Sequence, residues 1–397
     1  MSSSPRLPLP LLLALLTAIA PLSIDMYLPA MSQMAATLSS DIHHVEVSVS
    51  TFLLGFALGQ IAGGPLSDRL GRKPVILTGL TLFAIASTLL TMASNLDQLL
   101  LLRALQAIGG GLAVVNSTAI VRDMFDGRDI ARVLSMVAMI MMAAPLFAPM
   151  LGSLVLHFAQ WQAIFAVLAL YSVAVIALLI WQLPESHPKE RRIKRSPWAG
   201  YLQVISHRSA RRYILTLACA YSGMLLFITA SPYLYLEYFG QSASTFPWLF
   251  GANVVLLMFS NRLNMILLNR FSPVQIMSVG ITLHFGAALA LLTLSLLPGT
   301  FVLAAVLPLM MLFVGSLGLI TANTMGTVMQ HFREVAGSAT ALMGVIQFCG
   351  GALAGLLWAH LHNQTPVPMM AVMVLTSGLA TVALFSARNA DRQYATD

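Results

Sequence analysis

The chain has 397 residues, of which 58% are hydrophobic and only 9% charged. A soluble domain carries about 25% charged residues, so this composition excludes a water-soluble globular protein and points to a polytopic membrane protein. The formal charge of +7 would suit nucleic acid or anionic lipid, but the placement of the charges along the chain argues otherwise.

Hydrophobic windows separated by polar, Pro or Gly breaks predict twelve spans. They lie near 8–31, 45–66, 74–94, 98–121, 130–157, 161–183, 212–238, 246–267, 274–297, 300–325, 335–359 and 366–387. The first stretch, LPLPLLLALLTAIAPLSIDMYLPAM over residues 7–31, exceeds the roughly 20 apolar residues that cross a bilayer. Arg6 and the small residues Ala18 and Ala20 loosely fit a cleaved signal peptide. Pro21 would then follow the cut, and the apolar run continues to Met31, so the stretch reads as a retained helix. Near its far end stands Asp25, followed by Tyr27 and Pro29. An ionised Asp in a spanning helix costs about 2.5–3.5 kcal/mol. It can face a protein-lined cavity and find a proton or a cation. The plainer readings are that it sits at the water interface or caps a broken helix.

In the second span Gly55, Gly59 and Gly63 form a repeated GxxxG strip, which reads as a packing surface. The turn that follows is GPLSDRLGRKP, Gly64 to Pro74. Gly71 permits a backbone that a side chain would block, and Pro74 suits the first turn of the next helix. Asp68, Arg69, Arg72 and Lys73 place both signs of charge at one membrane surface.

Arg103 lies in the fourth span, roughly six residues from its outer end, and Asp25 is about as far from the outer end of the first. At 1.5 Å per residue both sit roughly 9 Å deep, so they are candidates for one ion pair. Alternatively Arg103 snorkels to the head groups. In the fifth span Pro145, Pro149 and Gly152 share a helix face, either as a kink or as a seam between the two halves.

The longest polar stretch, 184–211, predicts a cytoplasmic linker at 185–211 between six-helix halves at 1–184 and 212–397. Pro197, Trp198 and Tyr201 within it open an apolar run that reads as a short amphipathic helix on the inner leaflet. Two such halves suggest paired repeats with a substrate site at their interface. Arg103 apart, every Lys and Arg falls in or flanks an even-numbered gap or lies at a terminus, and odd-numbered gaps such as 32–44 hold none. The positive-inside rule then puts both termini in the cytoplasm. The basic charge thus reports orientation, and the 189–195 run is not read as a nucleic-acid site.

Weaker cavity candidates are Gln106, Asn116, Tyr233, Asn253, Asn323 and Gln347, each an interhelical hydrogen bond or a ligand contact, together with Tyr27. Met139 and Phe227 could supply an adaptable apolar wall. His284 reads as structural, and His43, His44, His360 and His362 show no metal pattern. Cys219 and Cys349 lack ligand spacing, so no metal or cofactor is expected.

The Gly64–Pro74 loop resembles the signature loop of the major facilitator superfamily. Arg103-Ala-Leu-Gln106-Ala-Ile-Gly109 resembles its fourth-helix motif, and Ala144-Pro145, Ala148-Pro149 and Gly152 its fifth-helix antiporter motif, with Ala where Gly often precedes Pro. Ser23-Ile24-Asp25-Met26-Tyr27-Leu28-Pro29-Ala30 and Pro184-Glu185-Ser186 are similar to segments of the bicyclomycin/chloramphenicol resistance subfamily. The counterpart loop Asn269–Val274 in the second half lacks the Asp. The resemblance implies an all-α membrane protein of the major facilitator fold, with twelve transmembrane helices in two six-helix halves. It implies a monomer in the bacterial inner membrane, in contact with lipid, that exports small amphipathic compounds or antibiotics in exchange for protons by alternating access. It further implies that Gly64, Asp68, Arg69, Gly71 and Arg72 form a conformational latch. Asp68 would sit near the start of helix eleven, around Glu334–Ser338, and the Arg residues would pair with Asp123 or Asp126. Thr17 stands where related multidrug members often carry a second acid, which leaves Asp25 as the first-helix candidate. The alternatives are a carrier of a polar metabolite (sugar, nucleoside or amino acid) and a non-transporting sensor. A membrane enzyme finds no support, since no paired acid/base, nucleophile constellation or phosphate loop is present.

Overall fold

The computed structural model describes residues 8–125, 128–188, 198–332 and 336–394. The basic run at 189–195, Pro197, Asp126, Arg333 and Glu334 lie outside the described residues. Among the described residues, twelve helices are long and apolar enough to cross a membrane: α1 (Leu9–Thr37), α2 (Ile42–Leu70), α3 (Arg72–Leu90), α4 (Leu96–Met124), α5 (Arg132–Phe158), α6 (Gln162–Gln182), α7 (Ala210–Tyr238), α8 (Phe246–Leu267), α9 (Pro273–Leu296), α10 (Leu303–Gln330), α11 (Ser338–Leu361) and α12 (Val367–Arg388). The chain is a multi-pass membrane protein, all α among the described residues. One expectation needs correction. The first gap, expected at 32–44, is largely helical, because Met31–Thr37 extends α1 beyond a break.

The chain divides into two compact units, Met1–Ser196 and Pro197–Asp397. In the first, α2 and α3 pack on α4, α1 on α5, and α3 on α6. In the second, α8 and α9 pack on α10, α7 on α11, and α9 on α12. The same pairing therefore recurs six helices later. The backbone irregularities recur as well. Helix α4 breaks at Val115 and α10 at Ser316, while α1 breaks after Asp25 and α7 ends in a π turn, Tyr233–Tyr238. Paired breaks in corresponding helices are the mark of a repeat, and here the backbone shows it where the residues do not.

The Gly55, Gly59 and Gly63 strip of α2 lies against the α4 backbone at Ala104, Ile108 and Leu112. In a bilayer there is little hydrophobic gain from helix association, so such close backbone approach supplies dispersion contact instead. Large apolar side chains such as Met92, Phe158, Leu170, Trp181 and Trp248 stay exposed, as suits surfaces facing lipid. The short helix Trp198–Ser206 opens the second unit. It buries Val204 and exposes Leu202 and Ile205.

Candidate functional site

The site grows from the break in α1. Its first segment ends at Asp25, a 3-10 turn covers Leu28–Ala30, and helix resumes at Met31. Proline cannot donate, and its ring clashes with the carbonyl four residues earlier. For Pro29 that residue is Asp25, so the sequence itself stops the helix at its carboxylate. Asp25 is 1% exposed, and its Oδ1 makes no hydrogen bond among the described residues. It is therefore at a helix break, as one plain reading allowed, but not on the surface of its unit.

Around the break the structure assembles a buried cluster. Arg103, 0% exposed, reaches from α4. Its Nη2 donates to the Ser23 carbonyl at 3.0 Å and its Nη1 to Gln106 Oε1 at 2.5 Å. The guanidinium lies against the Tyr27 ring at 4.4 Å and the Phe52 ring at 4.3 Å, with Phe165 at 5.8 Å. Gln106 passes the contact on by donating to Ser87 Oγ at 2.8 Å. Tyr27 shares a 2.8 Å hydrogen bond with Ser48 Oγ on α2. Charge-assisted hydrogen bonds contribute about 1.5–3 kcal/mol each, and desolvated cation–π contacts about 2 kcal/mol. Together they offset the cost of burying a cation without a carboxylate.

The expected ion pair between Asp25 and Arg103 is thus corrected. No salt bridge joins them among the described residues, because the carbonyl of Ser23 and the amide of Gln106 take the terminal nitrogens. Nor does Arg103 snorkel. It ties α4 to the α1 backbone two residues before Asp25.

Other elements hold α1 before, at and after the break. Tyr171 of α6 donates to the Leu15 carbonyl at 2.7 Å, and the Trp161 N–H donates to Gln33 Oε1 at 2.9 Å. Gly152 of α5 sits directly on the Met26 carbonyl, where any Cβ would collide with backbone. The Gly152 end of the Pro145, Pro149 and Gly152 face packs on α1 within its own unit, against the Met26 carbonyl. Pro149 is buried and Pro145 half-buried.

A second polar cluster lies at the opposite end of α2. Gly71 takes φ +102°, a backbone that L side chains avoid, and turns the chain directly from α2 into α3. Arg72 Nη1 donates to Asp68 Oδ1 at 2.6 Å and to Ser67 Oγ at 2.7 Å, and its Nε to Asp123 Oδ2 at 3.1 Å. Ser67 Oγ donates to the Gly64 carbonyl. Glu185 caps α3 from outside, accepting from the N–H groups of Arg72 at 2.9 Å and Lys73 at 3.2 Å. Lys73 Nζ in turn donates to the carbonyls of Ile180 and Leu183 at the end of α6. Arg69 is exposed and in no ion pair among the described residues. Asp126 and Glu334, expected in this latch, lie outside the described residues.

The remaining candidates divide. Tyr27 and Gln106 join Arg103. Asn116 bonds its own helix at Leu112, and Asn253 at Leu249. Asn323 reaches Asn264 Oδ1 at 2.6 Å across α8 and α10. Phe227 stacks on Phe250 at 5.7 Å, and Tyr233 meets His362 and Trp358. Gln347 is half-buried, while Met139 is 63% exposed. His284 sits 2.8 Å from the Phe313 carbonyl and stacks on the Phe313 ring at 3.9 Å. Sequence reasoning missed Glu46, Ser48, Phe52 and Ser87, and it gave Glu185 no role. For Glu46 the signal was available: it is an acid inside the expected second span.

The sequence profile of the Major Facilitator Superfamily matches residues 13–355. A bicyclomycin resistance protein homolog of Haemophilus influenzae is 30% identical over 366 residues, covering 91% of this chain and 92% of that protein. A chloramphenicol resistance protein of Pseudomonas aeruginosa is 30% identical over 384 residues, covering 94% of this chain and 88% of that protein. Among solved structures, a partially occluded inward open conformation of the xylose transporter XylE from E. coli superposes with a TM-score of 0.74 at 13% identity, over 95% of this chain and 96% of that one. That likeness is one of fold alone.

Proposed function

Because the chain belongs to the Major Facilitator Superfamily, we propose that it is a proton-coupled exporter of small amphipathic compounds, antibiotics among them. It works by alternating access in the bacterial inner membrane, with both termini in the cytoplasm. The printed names of the bicyclomycin and chloramphenicol resistance relatives support the cargo class. The Lys and Arg pattern supports the orientation.

The observation that carries the coupling is Asp25: a fully buried carboxyl at a helix break, with one oxygen lacking a partner among the described residues. A carboxylate in such a place is neutralised by a proton or balanced by a cation. Arg103 is a positioning residue. By gripping the Ser23 carbonyl it sets where the end of α1, and with it Asp25, lies. Protonation and deprotonation of Asp25 then alter the packing of the break against Gly152 and α6. Each proton moved inward through 100 mV supplies about 2.3 kcal/mol. At roughly 1.4 kcal/mol per decade, that supports more than about a tenfold gradient of neutral cargo.

The test is uphill export in proteoliposomes with an imposed proton gradient, using chloramphenicol as cargo while internal pH is followed. The unsubstituted protein accumulates cargo against its gradient and Asp25→Asn does not. Uphill export by Asp25→Asn would remove Asp25 from the coupling.

A further inference from the structure

The turn that joins α1 to α2 gathers three metal-ligating side chains that the export scheme leaves unused. Asp41 stands at the N-cap of α2, where its carbonyl accepts from the N–H groups of His44 and Val45. A capping Asp ordinarily also lends a side-chain oxygen to the N–H groups of the first turn. The Asp41 carboxylate makes no such bond. Its Oδ2 lies instead 3.8 Å from His43 Nε2 and 3.8 Å from His44 Nδ1. One ligand atom from each of the three residues lies within 4.8 Å of the others. The spacing of the letters hid this, since neighbouring residues on a helix do not face each other. The extended backbone of Asp41, at φ −90° and ψ 156°, brings one carboxylate oxygen within reach of both rings.

At 3.8 Å the carboxylate is too far from either ring for a hydrogen bond. The separation is instead close to that of two ligands on one metal ion. Tetrahedral bonds of about 2.0–2.2 Å set ligand atoms roughly 3.3–3.6 Å apart. Small rotations close the difference, and two of the three side chains are free to make them: Asp41 is 71% and His44 57% exposed, whereas His43, at 18%, is the fixed member. Two imidazole nitrogens and one carboxylate oxygen suit a divalent transition ion such as Zn²⁺. Mg²⁺ and Ca²⁺ take oxygen ligands instead. The positive end of α2 opposes a cation, and the single carboxylate offsets it. Three protein ligands leave a further position to water. The orientation proposed above puts this turn on the outer face of the membrane, where an ion in the medium reaches it.

We propose that Asp41, His43 and His44 form a binding site for a divalent transition metal of the zinc class, and that the bound ion fastens the α1–α2 turn to the first turn of α2. Asp41 precedes the helix and both histidines stand on it, so one ion ligated by all three ties linker to helix. The turn it ties is a tight one. Ser39, two residues before Asp41, takes φ +52°, a left-handed backbone that few residues other than glycine adopt. Four residues after His44, Ser48 holds the Tyr27 hydroxyl beside the α1 break. The fastened segment is therefore continuous with the one that grips the break. The site stands whether or not the chain exports drugs.

The experiment uses the full chain without a polyhistidine tag, purified in detergent, with Zn²⁺ as the probe. Zinc is titrated in competition with a chromophoric chelator, and melting curves are recorded alongside. One zinc per protein should bind, raising the melting temperature by about 5–10 °C at a hundredfold excess over the Kd. Excess Mg²⁺ should displace none of it. His44→Ala removes an exposed ligand, and Asp41→Asn keeps a residue that suits the N-cap. Each should weaken zinc by about tenfold or more and remove most of the melting shift. With Cu²⁺ in place of Zn²⁺, electron paramagnetic resonance should show coupling to two imidazole nitrogens, falling to one in His44→Ala. Zinc held equally tightly by both variants, an adventitious ion only, overturns the proposal, and so does displacement by Mg²⁺. Failure of the unsubstituted protein to bind zinc overturns it without any variant having to fold, and leaves the export reading standing.

Discussion

Adding one methyl group at Gly152 tests how the α1 break is held. Gly152 of α5 faces the carbonyl of Met26, the residue after Asp25, and its missing Cβ leaves the room in which that carbonyl sits. Both partners are backbone, so Gly152→Ala cannot be relieved by a rotamer change; the helices must part at that point. Overpacking of this kind costs about 1–3 kcal/mol. For a unit of roughly 200 residues each kcal/mol lowers the melting temperature by about 2–4 °C, so a fall of roughly 2–12 °C is expected in detergent. Function should suffer more than stability, since displacing a reacting group by ~1 Å can cost about a hundredfold in rate, and the displaced segment carries Asp25. Gly286→Ala in α9 is the matched control. Beyond the backbone of its own helix nothing lies within 4 Å of its Cβ position, so the same change there should gain about 0.5–1 kcal/mol of helix propensity. Melting curves and proton-driven export would be measured for both. If Gly152→Ala melts and transports like Gly286→Ala, the reasoning about the break fails.

Three further changes probe the rest of the unit. Gly71→Ala puts a Cβ on a residue at φ +102° and should cost about 1–3 kcal/mol, read as a lower melting temperature with ligand affinity little changed. Glu185→Gln removes a charged cap from the Arg72 and Lys73 N–H groups and should cost about 0.5–2 kcal/mol; an unchanged melting temperature would count against the cap. Arg103→Lys keeps the charge but cannot span the Ser23 carbonyl and Gln106 while lying flat on Tyr27 and Phe52. It should lower the maximal export rate more than the apparent affinity for cargo, and the reverse pattern would assign Arg103 to cargo binding.

Much of the architecture is a property of local chain chemistry and was legible in advance. Apolar runs of bilayer length mark all twelve spans, since a backbone in lipid satisfies its hydrogen bonds within a helix. Gly71 announces the α2–α3 turn, and Pro29 announces the end of the first α1 segment, because both act on their own backbone. What the local chain could not supply is which distant group answers a buried charge. Shared depth made Asp25 the natural partner for Arg103, yet the guanidinium chose a backbone carbonyl, an amide and two aromatic faces. Such a choice depends on ring positions contributed by α1 and α2, and spacing along one helix holds no record of them. Gly152 shows the same limit: its face of small residues was visible, but only packing decided that it meets Met26. Glu46 could be counted from the letters, whereas its complete burial is a result of α2 folding against its neighbours. Local sequence sets where helices start, bend and stop; the assembled unit decides which charges lose their water, and a charge without water is what gives this site its chemistry.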